Sequence, residues 1–472
     1  MSYYQNSLYP TNLPVPNGYP SQVDNKHNPI FLDVTPARTP LKPSSPNAVV
    51  PLNNNLVNPN TTRDIIYETL KPVFTVLKVM GALPLMKHAN MKNYYNISSP
   101  IMVYSAIVYC SLLAYILYMS LNKVQIMRTA EGKFEEAVIE YLFTVYLFPI
   151  MVVPLMWYET RKIAGVLNEW LNFETAYRQL SGRVLTITLY RKSWGIAIVI
   201  PILSTTSVII THMTMLHFKP LHLIPYVFLE ILTYMLGGYW YLLCETLSVC
   251  ASVVAEDFHQ ALRNIGPAKK VSDYRSLWLR LSKIARETGL ANSYTFIFVN
   301  LYLFLIITLS IYGLLSQISE GFGIKDIGLA VTACCSILLL FFICDEAHYA
   351  SHNVRTNFQK KLLMVELSWM NTDAQTEVNM FLRATEMNPS QMSLGGFFDV
   401  NRTLFKSLMA TMVTYLVVLL QFQISIPDDS QNEDEDSPAN NTSYFTDPIT
   451  TTSTTTAITT ILTTVAKRRR KH

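Results

Sequence analysis

The sequence predicts an all-α polytopic membrane protein with seven spanning helices, and three observations carry that reading. Half of the 472 residues are apolar and only 15% are charged, against about 25% charged in an ordinary soluble chain. Mean hydropathy is positive although both ends of the chain are polar, so the apolar residues are concentrated. They gather in runs long enough to cross a bilayer, where a helix needs roughly 20 residues. This composition excludes an ordinary cytosolic enzyme. The 37 Lys and Arg against 33 Asp and Glu leave a net charge of only +4, and no basic stripe of the kind that binds nucleic acid is present.

The runs fall at 101–121, 141–158, 193–212, 222–255, 293–316, 327–344 and 407–426. The first is uncharged. Pro149 and Pro154 lie in the second and are expected to kink it, which neighbouring helices can tolerate. The fourth carries Glu230, Glu245 and a Gly237-Gly238 pair that allows close helix packing. Pro427 stops the seventh. Ahead of the first span, the apolar positions 65, 66, 70, 73, 74 and 77 have helical spacing. They predict a short interfacial helix with Lys71 and Lys78 toward the headgroups; a plain soluble connector is the alternative. Residues 1–60 are rich in Pro, Asn and Ser, with too few bulky apolar residues to order, and show no signal-peptide core. The expected domains are therefore a disordered cytoplasmic segment 1–60, a seven-helix domain 61–427 and a disordered extracellular tail 428–472.

Orientation follows from the loops. Lys and Arg number six in 159–192, seven in 256–291 and five in 345–405, against three, one and one in 122–137, 213–221 and 317–326. The positive-inside rule puts the first set in the cytoplasm. Seven spans then leave the N-terminus inside and the C-terminus outside, opposite to a G-protein-coupled receptor. The tail suits an exterior place: it holds seven acidic residues, and Asn440 and Asn441 both head N-x-[ST] sequons. Asn96 also heads a sequon but falls on the cytoplasmic side. All six cysteines lie inside apolar runs, so no loop disulfide is expected.

The cytoplasmic segments are too periodic for bare loops. Leu277, Leu279, Leu281 and Ile284, with Arg280, Lys283 and Arg286, predict an amphipathic helix over 274–287. Residues 349–367 continue the sixth span. Thr372 to Gln375 resembles a capping box and Asn388-Pro389 a stop, which predicts a helix over 373–387. Leu362, Leu363, Val365, Leu367, Val378, Phe381 and Leu382 give these helices apolar faces suited to subunit assembly.

Within the spans, Thr414, Val418, Gln421 and Phe422 fall at i, i+4, i+7 and i+8, one helical face. A hydroxyl, an amide and two apolar side chains on one face suit a narrow pore with an apolar constriction, or a face packed on a neighbouring helix. Glu230 is an intramembrane carboxylate near the outer end of its span and, with Tyr234 one turn on, a ligand-pocket candidate. Glu245, near the inner end, reads as a carboxylate with a polar partner. Asp345, Glu346, His348 and His352 place two histidines at i, i+4 without the order or third ligand of a zinc site. Neither a P-loop nor G-x-S-x-G occurs. No enzyme activity, metal or cofactor is expected.

The stretch Thr414-Tyr415, five apolar residues, Gln421-Phe422 resembles the terminal signature of insect gustatory receptors. FEEAVIEYLF (134–143), SQISEGFGIKDIGL (316–329) and the blocks at 344–390 and 395–427 are similar to the carbon dioxide receptor lineage of that family. The resemblance covers about 75–427. It implies a tetrameric, ligand-gated, non-selective cation channel in the plasma membrane of sensory neurons, mixed with related gustatory receptor subunits and answering carbon dioxide or bicarbonate. On matching positions, Val418 and Phe422 form the gate and Gln421 lines the conduit, with Thr414 on the same face. It also implies a ligand pocket in the outer half between spans three and six, and cytoplasmic helices that hold the tetramer. Asp428 and Asp429 would then ring the pore mouth. Bicarbonate would need a cation, for which Lys123, Arg128 and Lys219 are the outer candidates. A seven-helix metabotropic receptor is the rival reading; a transporter should show internal repeats and broken helices, which are not seen.

Overall fold

The computed structural model describes residues 64–87, 92–129, 145–214, 223–263, 268–317, 323–365, 368 and 370–425. Among them ten α-helices account for nearly all regular structure: α1 (Ile65–Val79), α2 (Pro100–Thr129), α3 (Val152–Ser181), α4 (Tyr190–Met213), α5 (Leu223–Arg263), α6 (Ala268–Ala291), α7 (Ser293–Gln317), α8 (Ile324–Leu363), α9 (Thr372–Met387) and α10 (Arg402–Ser425). Two antiparallel two-residue ladders complete it. Met86 pairs with Tyr94 and Lys87 with Asn93 across β1 (Met86–Lys87) and β2 (Asn93–Tyr94). Ser393 pairs with Asp399 and Leu394 with Phe398 across β3 (Ser393–Leu394) and β4 (Phe398–Asp399).

Six of these helices, α2, α4, α5, α7, α8 and α10, are long and apolar enough to cross a membrane. They match six of the seven expected spans. The start of the other, 141–144, lies outside the described residues. In its described part, Val145 is helical and the backbone leaves α-helical geometry over 146–151, around the first of its two prolines. Pro149 sits in a 3-10 turn, Phe148–Met151, and Pro154 is the third residue of α3. There its missing N–H is one of the first four that have no intrahelical acceptor, so proline opens the helix without losing a bond. Past the span, α3 continues to Ser181 and ends at Gly182, whose φ of 68° lets its N–H turn back to the Arg178 carbonyl at 2.9 Å.

α5 has 41 residues and α8 has 40, about 60 Å each at 1.5 Å per residue, twice a hydrocarbon core of about 30 Å. Both therefore leave the bilayer as continuous rods, lying side by side. Asn353 donates to Ser248 Oγ, Asn357 to Ser252 Oγ at 2.9 Å, and Lys361 pairs with Glu256 at 2.8 Å. Each step advances four residues on both helices, so a polar ladder fixes their register beyond the membrane. Higher up, Gly237 and Gly238 do the packing the sequence led us to expect. A Cβ at Gly237 would collide with Leu339 of α8, and one at Gly238 would sit 2.6 Å from Ile196 of α4.

The cytoplasmic layer has its own aromatic core. Phe258 of α5, Trp278 of α6, Phe358 of α8 and Phe381 of α9 pack ring to ring at 5.5–6.5 Å, and Trp278 Nε1 donates to the Val354 carbonyl at 2.9 Å. Leu362, Val378 and Phe381, expected on an assembly face, are thus buried within the chain. Leu363 remains exposed, joined by Met364, Met380 and Met387. The expected capping box is absent: Asn371 precedes the helix, and the Gln375 amide donates to the Met370 carbonyl at 3.1 Å.

α1 also departs from expectation. Ile66, Leu70, Val73, Phe74 and Leu77 are buried against α4 and α5, so its apolar stripe is covered by protein and not by headgroups. Lys71 pairs with Glu68 at 3.5 Å, and Lys78 donates to Tyr67 Oη at 3.4 Å. Asp64 caps its first turn by accepting from the Tyr67 N–H at 3.0 Å.

A candidate ligand cavity and an outward-facing seventh span

One cavity lies between the upper parts of α4, α5 and α8, at the end that the loop charges assign to the exterior. α4 contributes Ser207, Val208, Thr211 and His212; α5 contributes Tyr226 and Glu230; Thr332 of α8 and Tyr146 close it. The centre of a water-sized sphere can occupy about 10 Å3 there, about one such sphere. Tyr146 Oη donates to Thr332 Oγ1 at 2.7 Å, and Thr332 Oγ1 lies 3.3 Å from Thr211 Oγ1. His212 Nδ1–H donates to the Val208 carbonyl at 3.0 Å, and its ring packs on Tyr226 with centroids 4.8 Å apart. The close approach of α8 to α4 depends on Gly328, where a Cβ would lie 3.2 Å from Thr211 Cα.

Glu230 lines this cavity and is 8% exposed. Tyr234, one turn further along α5, is half-buried and is not among the lining residues. Among the described residues, no Lys or Arg lines the cavity. Of the outer cations weighed for bicarbonate, Lys219 lies outside the described residues, and so do the side chains of Lys123 and Arg128. Sequence reasoning missed Tyr146, Thr211, His212 and Thr332. Their signal was faint: a hydroxyl or imidazole in an otherwise apolar span, with Ser207 and Thr211 at i, i+4.

The other intramembrane carboxylate, Glu245, accepts from Lys192 Nζ at 2.8 Å. Another acid has a structural task the sequence hid. Glu159, fully buried, accepts from the Tyr294 N–H at 2.6 Å and the Thr295 N–H at 3.2 Å. These are first-turn donors of α7, so a carboxylate from α3 caps the fifth span where the chain breaks at Asn292. His348 and His352 stack with centroids 6.2 Å apart, and among the described residues no three His, Cys, Asp or Glu gather as a metal site. The six cysteines are unpaired; Cys244, Cys250 and Cys344 are buried, but Cys110 and Cys334 lie on the chain's surface.

α10 is held on one side only. Met412 and Leu416, at i and i+4, are buried against the bundle, while Thr414, Val418 and Gln421 are exposed. Only 11% of its spanning stretch is buried by its own chain. The Phe422 side chain and residues Asp428, Asp429, Asn440 and Asn441 lie outside the described residues.

Residues 70–426 match the family described as 7tm Chemosensory receptor. Gustatory and odorant receptor 24 of Anopheles gambiae is 64% identical over 365 residues, 77% of this chain and 80% of that protein. Gustatory and odorant receptor 22 of the same mosquito is 30% identical over 78% of this chain and 81% of its own length. Gustatory and odorant receptor 21a of Drosophila melanogaster is 28% identical over 77% and 82%. Among solved structures, the insect olfactory receptor OR5 from Machilis hrabei superposes with a TM-score of 0.55 at 15% identity, covering 76% of this chain and 99% of that one. The same receptor in complex with eugenol gives 0.54 at 14% identity. With its spans, its match across 70–426 and its 64% identity to a mosquito receptor, the chain belongs to the 7tm chemosensory receptor family, among the insect gustatory receptors.

Proposed function

We propose that this chain is a subunit of a ligand-gated, non-selective cation channel that answers carbon dioxide, assembled as a tetramer with related gustatory receptor subunits in the plasma membrane of sensory neurons. The observation that carries the channel reading is the exposure of Thr414, Val418 and Gln421 on a spanning helix that its own chain scarcely buries. A helix face that carries a hydroxyl and an amide suits an aqueous conduit better than a lipid surface. Facing a central conduit with copies of the same helix, they contact water and ions, and Val418 with Phe422 supplies an apolar ring that closes by dewetting. The loop charges support an N-terminus inside, which is the sidedness this arrangement requires and the reverse of a metabotropic receptor.

The cavity supports a small neutral ligand over an anion. Its described lining presents hydroxyls, one imidazole and the Glu230 carboxyl, and no Lys or Arg among those residues. Among the described residues, bicarbonate there would face an acidic group, whereas carbon dioxide carries no net charge to desolvate. The ligand acts by favouring a bundle arrangement in which the α10 gate is wet. Currents recorded from this chain with related subunits, while carbon dioxide is varied at fixed pH and bicarbonate, test the proposal. Current should follow carbon dioxide; current that follows bicarbonate at fixed carbon dioxide would overturn the ligand reading.

A further inference from the structure

The cavity and the seventh span touch different parts of one helix. α8 contributes Thr332 to the cavity, then passes Phe341 and Asp345 before entering the cytoplasmic layer. Thr332 and Asp345 are about 20 Å apart along the helix at 1.5 Å per residue. No glycine or proline occurs between Leu329 and Leu363, the usual places where a helix bends. That stretch therefore moves as a rod, and its cytoplasmic end is fixed in the register of α5 by the Ser248–Asn353, Ser252–Asn357 and Glu256–Lys361 ladder.

The foot of α10 is attached to this rod by two rungs. Phe341 and Asp345 lie at i and i+4 on α8, and Arg402 and Phe405 at i and i+3 on α10, so each pair shares a helix face. Phe341 and Phe405 meet edge to face with centroids 5.4 Å apart. Arg402 Nε pairs with Asp345 Oδ1. Arg402 is the first residue of α10, directly after Asn401, whose side chain caps the helix by accepting from the Thr403 N–H at 2.9 Å and the Leu404 N–H at 3.0 Å. The position where the chain enters the helix is thus the position gripped by α8. Above it, Tyr415 leans on Phe304 of α7 at 6.0 Å, and Val418 and Gln421 continue beyond that contact. Just before the helix, Val400 is buried and its N–H donates to the Met392 carbonyl at 2.9 Å, so the foot is held by α8 together with the β3–β4 hairpin.

We propose that Asp345 and Arg402 are positioning residues for gating, an ionic link that transfers displacement of α8 at the cavity to the foot of α10. The proposal rests on the pore reading of α10 and adds the route by which the cavity reaches it. Neither residue contacts the cavity or the outward face of α10, so the pair acts only through the two helices it joins. Movement of α8 alters the link, and Arg402 carries the change to the start of the helix that bears the gate. The pair is half-exposed, with side chains 55% and 24% accessible for Arg402 and Asp345. Its coupling should therefore be modest, about two- to fivefold in an equilibrium, the range of exposed ion pairs.

A charge-swap cycle on the assembled receptor tests this, with surface delivery measured by biotinylation and carbon dioxide as the applied ligand. Asp345→Arg and Arg402→Asp each turn the attraction into a repulsion. Each should shift the half-activating concentration or the ligand-independent current by about twofold or more, both in the same direction. The double variant should return to within about 1.5-fold of the parent, the non-additivity expected of two residues in contact. A purely structural role would not be rescued by the swap. If the single reversals fail to reach the surface, Asp345→Asn, Arg402→Gln and their double variant complete the same cycle with milder changes, and non-additive shifts are expected there too. Additive or absent shifts in receptors that reach the surface would overturn the link. Phe422→Ser in the same assay keeps the two readings apart: raised ligand-independent current with additive swaps removes the link and leaves the pore, whereas a rescued swap with no effect of Phe422→Ser on current retains the pairing and removes the pore assignment.

Discussion

Thr332 is the residue on which the cavity closes, because it accepts from Tyr146 and lies within reach of Thr211 while sitting on the helix that also holds the foot of α10. Replacing it with Val keeps the volume but removes the hydroxyl that accepts from Tyr146, a loss of about 1 kcal/mol for a buried hydrogen bond. Thr332→Val should shift the half-activating ligand concentration by about fivefold with the maximal current kept. A dose–response curve at matched surface density measures it, and an unchanged curve would remove Thr332 from the ligand response. Glu230 was legible in the sequence, since an acidic residue in a spanning run stands out. Thr332, Thr211 and Tyr146 were not, because hydroxyls are common in spans and only the fold brings residues 146, 211 and 332 together. Tyr234 shows the converse: it shares a helix face with Glu230, but the cavity ends one turn short of it.

At the scale of elements, hydropathy located the spans well because the bilayer imposes one length on every helix. It misread α1, where the burying partner is protein. α1 has the stripe of an interfacial helix, and the sequence alone does not distinguish a lipid surface from the α4–α5 groove. The docking of α1 carries a pH dependence that can be measured. Glu174 of α3 accepts from the Ile65 N–H at 3.3 Å, and its other oxygen is buried with no hydrogen-bond partner among the described residues. Burial pushes its carboxyl up to about 7, with Asp64 adding to the rise and the Ile65 N–H, Arg178 and Lys87 opposing it. The docked state therefore holds the proton more tightly than the free state, whose carboxyl titrates near 4.5. Docking is strongest below about pH 4.5, weakens as pH rises to about 7 and is level above. Protection of the α1 amides from hydrogen exchange, corrected for intrinsic rates, should fall across that window in the parent and stay flat in Glu174→Gln. Equal slopes in both would assign the dependence to another group.

For the whole molecule, the fold is a membrane bundle whose long α5 and α8 rods reach into a cytoplasmic layer built on Phe258, Trp278, Phe358 and Phe381. The layer's helices were legible from amphipathic spacing. Their role was less so, because the apolar residues that suggested assembly are mostly consumed within one chain, leaving Leu363, Met364, Met380 and Met387 for neighbours. The pore assignment joins a sequence signature to an exposed face: Thr414, Val418 and Gln421 were placed on one side of a helix by spacing alone, and that side is outward in the structure. Gln421 gives the central claim its most direct measurement, the reversal potential of ligand-evoked current in excised patches under asymmetric cation solutions. A Gln421→Glu receptor should shift that potential toward greater cation preference and leave the half-activating ligand concentration within about twofold, because one added carboxylate in a narrow conduit acts on permeating ions far from the cavity. An unchanged reversal potential and conductance in channels that reach the surface would contradict the assignment of α10 as the pore lining.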